Sequence, residues 1–395
     1  MTRFAVLAVF VSMGWATQLN SQSPLFAPAP ASPVTVGPGS GTVVLADINR
    51  DGHLDLLTKH LLNQSVAVRL GDGNGHFAPG AERPMSFGYQ PGAIALGDVN
   101  NDGILDLGVT SRDSVRENVA IFLGNGRGGF SLASGSPFAA SASTKGYKPS
   151  LRFVDVNEDG KLDIVKANGR RNTIEILLGN GRGGFSPGPI VRLEPGQNFY
   201  SFEIGDVDGD GHLDVVTASS PGPGLGTGRV MTKHGDGKGN FRDASGSPLS
   251  VPPDPRVGTL ADVNGDRRLD IVLSHGDRSL LSVLLNDGHG MFTPAPGSPL
   301  NLWNQTFVVV VADVNQDEKA DLLAATVNSR TAPFESRIVV LLGAGRDGFA
   351  PAPGSPFRAG PGAYHLTVGD VNEDGKLDVA ASSFEGNAVT VLLAR

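Results

Sequence analysis

The chain has 395 residues, no cysteine, a hydrophobic share of 39% and a net charge of −8. Without cysteine there is no disulfide framework, no thiolate metal site and no lipid-carrying cysteine anchor. Nucleic-acid binding is excluded by the lack of any Lys/Arg-rich run or matching motif, and 54 Gly with 27 Pro and no short period suit a chain of many turns rather than a collagen.

In chain order, residues 1–16 read as a signal peptide, with Arg3 as the positive start, an apolar stretch from Phe4 to Val11, and Gly14-Trp15-Ala16 as a small-x-small cleavage site. The apolar stretch is too short to span a bilayer. The expectation is a secreted protein with a linker over 17–24, a folded region over 25–395 and no membrane span.

The folded region repeats. Seven stretches share Asp-x-Asn/Asp-x-Asp-x-x-x-Asp followed by an apolar pair, starting at Asp47, Asp98, Asp155, Asp206, Asp262, Asp313 and Asp370. Their start-to-start spacings are 51, 57, 51, 56, 51 and 57 residues. An apolar run precedes each stretch (Thr42 to Ala46), another follows it (Leu105 to Val109), and a third comes next (Val119 to Leu123). A Gly-rich turn then closes onto Phe77, Phe130, Phe185, Phe241, Phe292 or Phe349. The runs are short, β-branched and bounded by Gly, Asn, Asp and Pro, so they read as strands. Four strands per repeat of this length is a propeller blade.

The chain ends supply a check. There are seven Asp stretches but six Phe turns, because the chain stops at Arg395 after a third run. The missing piece stands at the other end, where Phe26 to Pro33 matches Phe349 to Pro356. The predicted fold is therefore an all-β, seven-bladed β-propeller with four antiparallel strands per blade, its last blade closed by the N-terminal strand. Such closure removes the exposed edges of an open array.

Each nine-residue Asp loop carries side-chain oxygens at positions one, three, five and nine, and offers a backbone carbonyl at position seven. The candidate ligands are Asp47, Asn49, Asp51, His53 and Asp55 in the first loop, and Asp98, Asn100, Asp102, Ile104 and Asp106 in the second. The third has Asp155, Asn157, Asp159, Lys161 and Asp163, and the fourth Asp206, Asp208, Asp210, His212 and Asp214. The fifth has Asp262, Asn264, Asp266, Arg268 and Asp270; the sixth Asp313, Asn315, Asp317, Lys319 and Asp321; the seventh Asp370, Asn372, Asp374, Lys376 and Asp378. These aspartates are more than half of the 40 acidic residues, so the rest of the chain is net positive. Hard oxygen donors in this number suit Ca²⁺ better than Mg²⁺ or zinc. Position six is Gly in five loops, which predicts a positive φ there. Arg267 and Glu318 take that place in the fifth and sixth, which are expected to be the weakest sites. The fourth carboxylate at Asp208 makes the fourth site the tightest. Up to seven structural calcium ions are expected.

EF-hand and dockerin readings fail, because position twelve lacks Glu and the flanks are strand-like. The Asp-Val-Asn-x-Asp-Gly-x-Leu-Asp loops and Gly-Asn-Gly-x-Gly-x-Phe turns resemble the FG-GAP/VCBS repeats of integrin α-subunit propellers and of many bacterial exported proteins. The resemblance runs from Phe26 to Arg395. It implies calcium in the hairpin between the first and second strands of a blade, on one face of the ring, with ligands meeting the opposite face. Similar seven-bladed propellers occur as fungal lectins, and related repeats in some polysaccharide lyases.

Tyr89, Tyr147, Tyr200, Trp303 and Tyr364 all lie six to ten residues before a loop's first Asp, in the segments that lead into the first strands. Such rings can stack on sugars, anchor a protein partner, or wedge between blades. The longer insertions Ser219–Arg229, Asn328–Arg337 and Phe138–Lys148 are candidate binding loops on the same face. No His-Glu-x-x-His, nucleophile elbow or phosphate-cradling loop is present. The chain therefore reads as a monomeric binding or adhesion module for an extracellular protein or glycan, and not as an enzyme. A lectin proper and a polysaccharide-active, lyase-like enzyme are the alternatives.

Overall fold

The computed structural model describes residues 23–80, 84–111, 118–139, 150–168, 171–194, 198–222, 226–302, 304–330 and 334–395. The expected signal peptide and most of its linker, together with Tyr147 and Trp303, lie outside those residues.

Seven antiparallel sheets follow one another along the chain. Blade one is typical. Its first strand, Ser40–Ala46, runs into the Asp loop, Asp55–His60 returns, Ser65–Gly71 follows, and Phe77–Pro79 forms the outer edge. The first strands of neighbouring blades touch one another at five of the seven seams and so line the centre of the ring. Blade seven is made from Leu366–Gly369, Asp378–Ser383 and Ala388–Ala394, and its outer strand is Phe26–Pro28. Phe26 pairs with Ala394 and Pro28 with Leu392. The two chain ends thus meet within one sheet, as the split repeat requires.

The core is seven clusters, one at each seam between blades. Leu323, Ile338 and Val340 of blade six pack on Leu366, Val379 and Leu392 of blade seven. Ala29, Val389 and Val391 of blade seven pack on Val43 and Leu56 of blade one, which shuts the ring. A single four-stranded sheet buries neither face alone, so each seam supplies the burial that its two blades lack. Every fully buried Val, Leu or Ile contributes about 1.5–3 kcal/mol of transfer free energy.

The outer strand is more broken than the repeat suggests. After Phe349–Pro351 the chain turns at Ser355-Pro356, and Phe357–Ala359 rejoins the same third strand. At that break the Ser355 hydroxyl accepts the Val340 N–H at 2.9 Å, replacing a lost ladder bond. Ser32, Ser136, Ser247 and Ser298 do the same for Val391, Ile121, Thr232 and Val283. Blades one and three have no Ser-Pro at the corresponding place, and the outer strand of blade three runs unbroken over Phe185–Arg192.

Two of the expected insertions are partly strand. Ser219 and Ser220 end one strand of blade four and Gly228–Gly235 begins the next, while Glu335 to Arg337 belong to Glu335–Gly343 in blade six. Strand pairing continues into these segments because each has alternating residues that find partners, as with Ser219 and Arg229. In the third insertion Phe138 bridges to Val119, and 140–149 lie outside the described residues. No helix among the described residues is long and apolar enough to cross a membrane.

Candidate metal loops and the opposite face

Every Asp loop joins the first and second strands of its blade. All seven therefore emerge at the end where first strands finish, on one face of the ring. Position nine opens the second strand and is wholly buried in every blade. Its two oxygens tie the hairpin to its sheet. Asp163 Oδ2 accepts the Val156 N–H at 3.1 Å and Oδ1 accepts the Gly179 N–H at 2.8 Å. The other six follow suit, as with Asp378 and the amides of Val371 and Ala394. The amide at position two belongs to a side chain that the sequence reading passed over. Ile48, Val99, Val156, Val207, Val263, Val314 and Val371 are all buried, and each joins a seam cluster or its edge. One residue thus links the loop to the core.

Position one closes the loop over itself. Asp98 accepts the Asp102 and Gly103 amides, one on each oxygen, at 3.1 and 2.7 Å. Position three accepts the position-five amide, as in Asn100 Oδ1 with Asp102 at 3.1 Å. Position five accepts the position-seven amide, from His53 at 2.9 Å to Lys161 and Lys319 at 3.0 Å. Ile104, His212, Arg268 and Lys376 repeat that bond. These amides aim the oxygens of positions one, three and five into the turn while leaving lone pairs on each. In the fourth loop, carboxylate oxygens of Asp206, Asp208 and Asp210 lie within 4.8 Å of one another.

Position six has a positive φ in all seven loops, including Arg267 (68°) and Glu318 (63°). Position four is left-handed as well, at Arg50, Asn101, Glu158, Gly209, Gly265, Gln316 and Glu373. With two glycines among the seven, the sequence gives little sign of this.

The electrostatics favour a cation. Burial pushes the position-nine carboxyl up in all seven loops, and the carboxylates at positions five and one push it further in loops two, three, five, six and seven, that at position five alone in loop one. Asp214 is raised by the same burial with Asp208 beside it. Asp106 and Asp270 reach about 6, although each receives two amide hydrogen bonds that pull the other way. Buried carboxylates grouped without a counter-charge are costly, and an oxygen-rich donor set of this kind fits a hard divalent ion. In the third loop a built-in charge intervenes. Lys161 Nζ reaches Asp159 Oδ2 at 3.0 Å and holds that carboxyl below its usual range. Lys319 with Asp317 at 3.5 Å and Arg268 with Asp266 at 4.0 Å are looser versions.

Loops also clasp their neighbours. His53 pairs with Glu373 of the preceding loop, and His212 Nδ1 with Glu158 Oε1 at 2.6 Å. Gln316 donates from Nε2 to the Gly375 carbonyl at 2.7 Å.

On the opposite face the side chains of Tyr89 and Tyr364 are the described members of the predicted aromatic set, and each packs against its own neighbours. Tyr89 lies tilted on Phe87 at 5.6 Å. Tyr200 falls inside the first strand of blade four, Asn198–Gly205, where the register slips between Phe199 and Ser201. Tyr364 meets Phe307 edge-on at 5.0 Å and Phe384 at 6.1 Å, with its hydroxyl 3.5 Å from Glu385. Phe307 is itself the slipped residue of blade six, and the Arg256 guanidinium stands 5.9 Å from its ring. Tyr364 therefore joins blades six and seven while staying half-buried. A pocket of about 90 Å³ opens elsewhere, between blades four and five, lined by Val230, Thr232, Leu249, Met291 and Phe292.

A family profile described as an FG-GAP-like repeat matches residues 62–109, 155–217 and 262–324. These segments carry the whole of Asp loops two, three, four, five and six, and they lie on a ring of seven blades. The chain carries FG-GAP-like repeats on a seven-bladed propeller. No curated protein sequence matches this FG-GAP-like chain. Among solved structures, it is similar to BBS1N in its complex with ARL6DN at 13% identity and TM-score 0.59, over 94% of this chain and 98% of that one. It is similar to an Agrocybe aegerita lectin that recognises non-reducing terminal N-acetylglucosamine at 16% identity and TM-score 0.51, over 90% and 86%. A putative 6-phosphogluconolactonase from Bacteroides uniformis matches at 10% identity and TM-score 0.55, over 89% and 92%. At these identities the likeness is one of fold.

Proposed function

We propose that this FG-GAP-like propeller is an exported binding module, that calcium in its Asp loops rigidifies one face, and that a protein or glycan partner docks on the other. The observation that carries the reading is the sevenfold buried Asp at position nine, which ties each oxygen-lined turn to a seam cluster. A cation placed there braces every blade against its neighbour. Extracellular modules of this kind bind calcium at roughly 0.1–1 mM, which agrees with the signal-peptide reading of residues 1–16. A site at a hundred times its dissociation constant adds about 2.7 kcal/mol to folding.

The binding reading rests on the sequence, in which no His-Glu-x-x-His, nucleophile elbow or phosphate-cradling loop is found. Similar propellers serve both partner classes, one in complex with ARL6DN and one recognising N-acetylglucosamine. The half-buried Tyr89 and Tyr364 offer ring surface to either.

Thermal melts in millimolar Ca²⁺ and in EDTA test the metal: a rise of many degrees with Ca²⁺ is expected, and superimposed melts would sink the calcium reading. A glycan array of the Ca²⁺-loaded protein then divides the partner classes. Hits abolished by Tyr364→Ala would establish the lectin form, and a blank array would leave a protein partner.

A further inference from the structure

Blade four departs from the other six at two positions that touch each other. Its loop has Asp208 at position three, where the others have Asn. Its third strand has His234 next to last, where the others have Leu, from Leu70 in blade one to Leu393 in blade seven. His234 Nδ1 lies 2.9 Å from Asp208 Oδ2, and the two side chains are only 8% and 12% exposed. Two changes that occur together and meet underneath the loop form one device.

The geometry points to a second kind of metal site here, a nitrogen-containing one for a borderline transition ion such as Zn²⁺, held by His234, Asp208 and Asp214. One donor atom from each lies within 4.8 Å of the others, and all three side chains are buried or nearly so. Asp214 spends one lone pair per oxygen on the amides of Val207 and Gly235, at 2.8 and 2.9 Å, and keeps the rest. Asp208 uses Oδ1 for the Asp210 amide at 3.2 Å and turns Oδ2 inward. Two carboxylates and a neutral imidazole match a divalent charge. Imidazole suits zinc, copper or nickel, whereas calcium takes oxygen. Three protein ligands with open positions for water are an ordinary number for zinc.

An independent observation says that the cluster is incomplete as it stands. His234 is 94% buried, yet its Nε2 has no partner. Buried polar atoms are normally paired. The ring occupies space that Gly290 of the next blade leaves free, since a Cβ there would stand 2.6 Å from Nε2. The 2.9 Å contact occupies Nδ1 with Asp208, so it is the buried, unpartnered Nε2 that remains free to take an ion. Asp208 and Asp214 are also candidate calcium ligands of the fourth loop, so with both ions bound these two carboxylates would bridge them and His234 would be the donor unique to the second ion.

The probe is Co²⁺, whose visible absorption reports nitrogen and oxygen donors. The full chain, stripped with EDTA and then saturated with Ca²⁺, is titrated with Co²⁺. One equivalent is expected to bind in the presence of Ca²⁺ and to be displaced by Zn²⁺. His234→Leu and Asp208→Asn install residues that the other blades already carry, so they should fold. Each is expected to weaken Co²⁺ at least about 10-fold, since even outer-shell partners of a metal are worth that much. Co²⁺ uptake unchanged in His234→Leu, or none in the wild type once Ca²⁺ is present, would overturn the site. The calcium melts are read separately, so this assignment and the calcium reading can fail independently.

Discussion

The two faces of this ring are built by opposite rules. On the loop face seven hairpins use the same residues for the same bonds, down to a buried Asp whose oxygens each take one backbone amide. On the other face the connections differ in length and sequence, and Tyr89 and Tyr364 each find their own local partners. Repetition is what a shared structural task looks like, because every blade must solve the same closure problem. Irregularity is what a surface free to specialise looks like. The comparison predicts where stability resides and where recognition does.

The largest expected effect follows from truncating a position-nine residue. Asp163→Ala orphans the Val156 and Gly179 amides and removes a ligand from the third loop. At about 1–3 kcal/mol per buried unpaired group, a loss of about 3 kcal/mol is expected in Ca²⁺. Tyr89→Ala on the opposite face, a half-buried ring, is expected to cost under about 1.5 kcal/mol. Urea midpoints of the two variants measure the contrast. Equal losses would mean that the loop face is not the brace.

A finer contrast lies within the loop face. Glycines at position six of loops one, two, three, four and seven have open space where a Cβ would go, so their value is conformational alone. Gly52→Ala is expected to cost roughly 1 kcal/mol, and Arg267→Gly or Glu318→Gly to return about as much, because a side chain at φ > 0 carries that penalty. Calcium titrations of the same variants rank the sites: the glycine substitutions should tighten the fifth and sixth. Unaltered affinity would locate their weakness elsewhere, at Arg268 and Lys319, whose charges already lean on position five.

How much of this was legible follows the same division. Blade number, ring closure and the oxygen pattern could be read because each is written several times, and because Phe26 to Pro33 echoes Phe349 to Pro356. The serine hydroxyls that mend the broken outer strands were also written five times, yet Ser-Pro reads simply as a turn. The left-handed position four was hidden because loop amides stabilise it. In loop one, Asp47 accepts the Arg50 N–H at 2.6 Å, and a polar residue of any kind tolerates the strain. Tyr364 was placed on the correct segment, but its partner Phe307 reaches it through a strand bulge that no pattern announces. Blade four shows the converse. Asp208 is visible in the loop, whereas His234 lies 26 positions away and gains meaning only when the hairpin folds over it.

The smallest expected effect tests the loop face by its sign rather than its size. Without metal, the position-nine carboxyls are raised above their ordinary value, to about 6 in Asp106 and Asp270. A raised acid favours the folded state while protonated, so this contribution is complete below about pH 4 and is lost as pH climbs through 6. His53 and His212, raised by Glu373 and Glu158, act in the same direction above their ordinary range, though both are open to solvent. The metal-free melting temperature should therefore fall between pH 4 and 7. A bound cation holds the same carboxylates ionised, and protons must then compete with it, so in Ca²⁺ the melting temperature should rise over that interval. The histidine pairs on their own cannot produce a reversal, because their imidazoles pair with Glu373 and Glu158 and these residues offer the loop only a backbone carbonyl. Slopes of the same sign in EDTA and in Ca²⁺ would show that position nine never meets the ion, and the brace would then reduce to its two amide bonds.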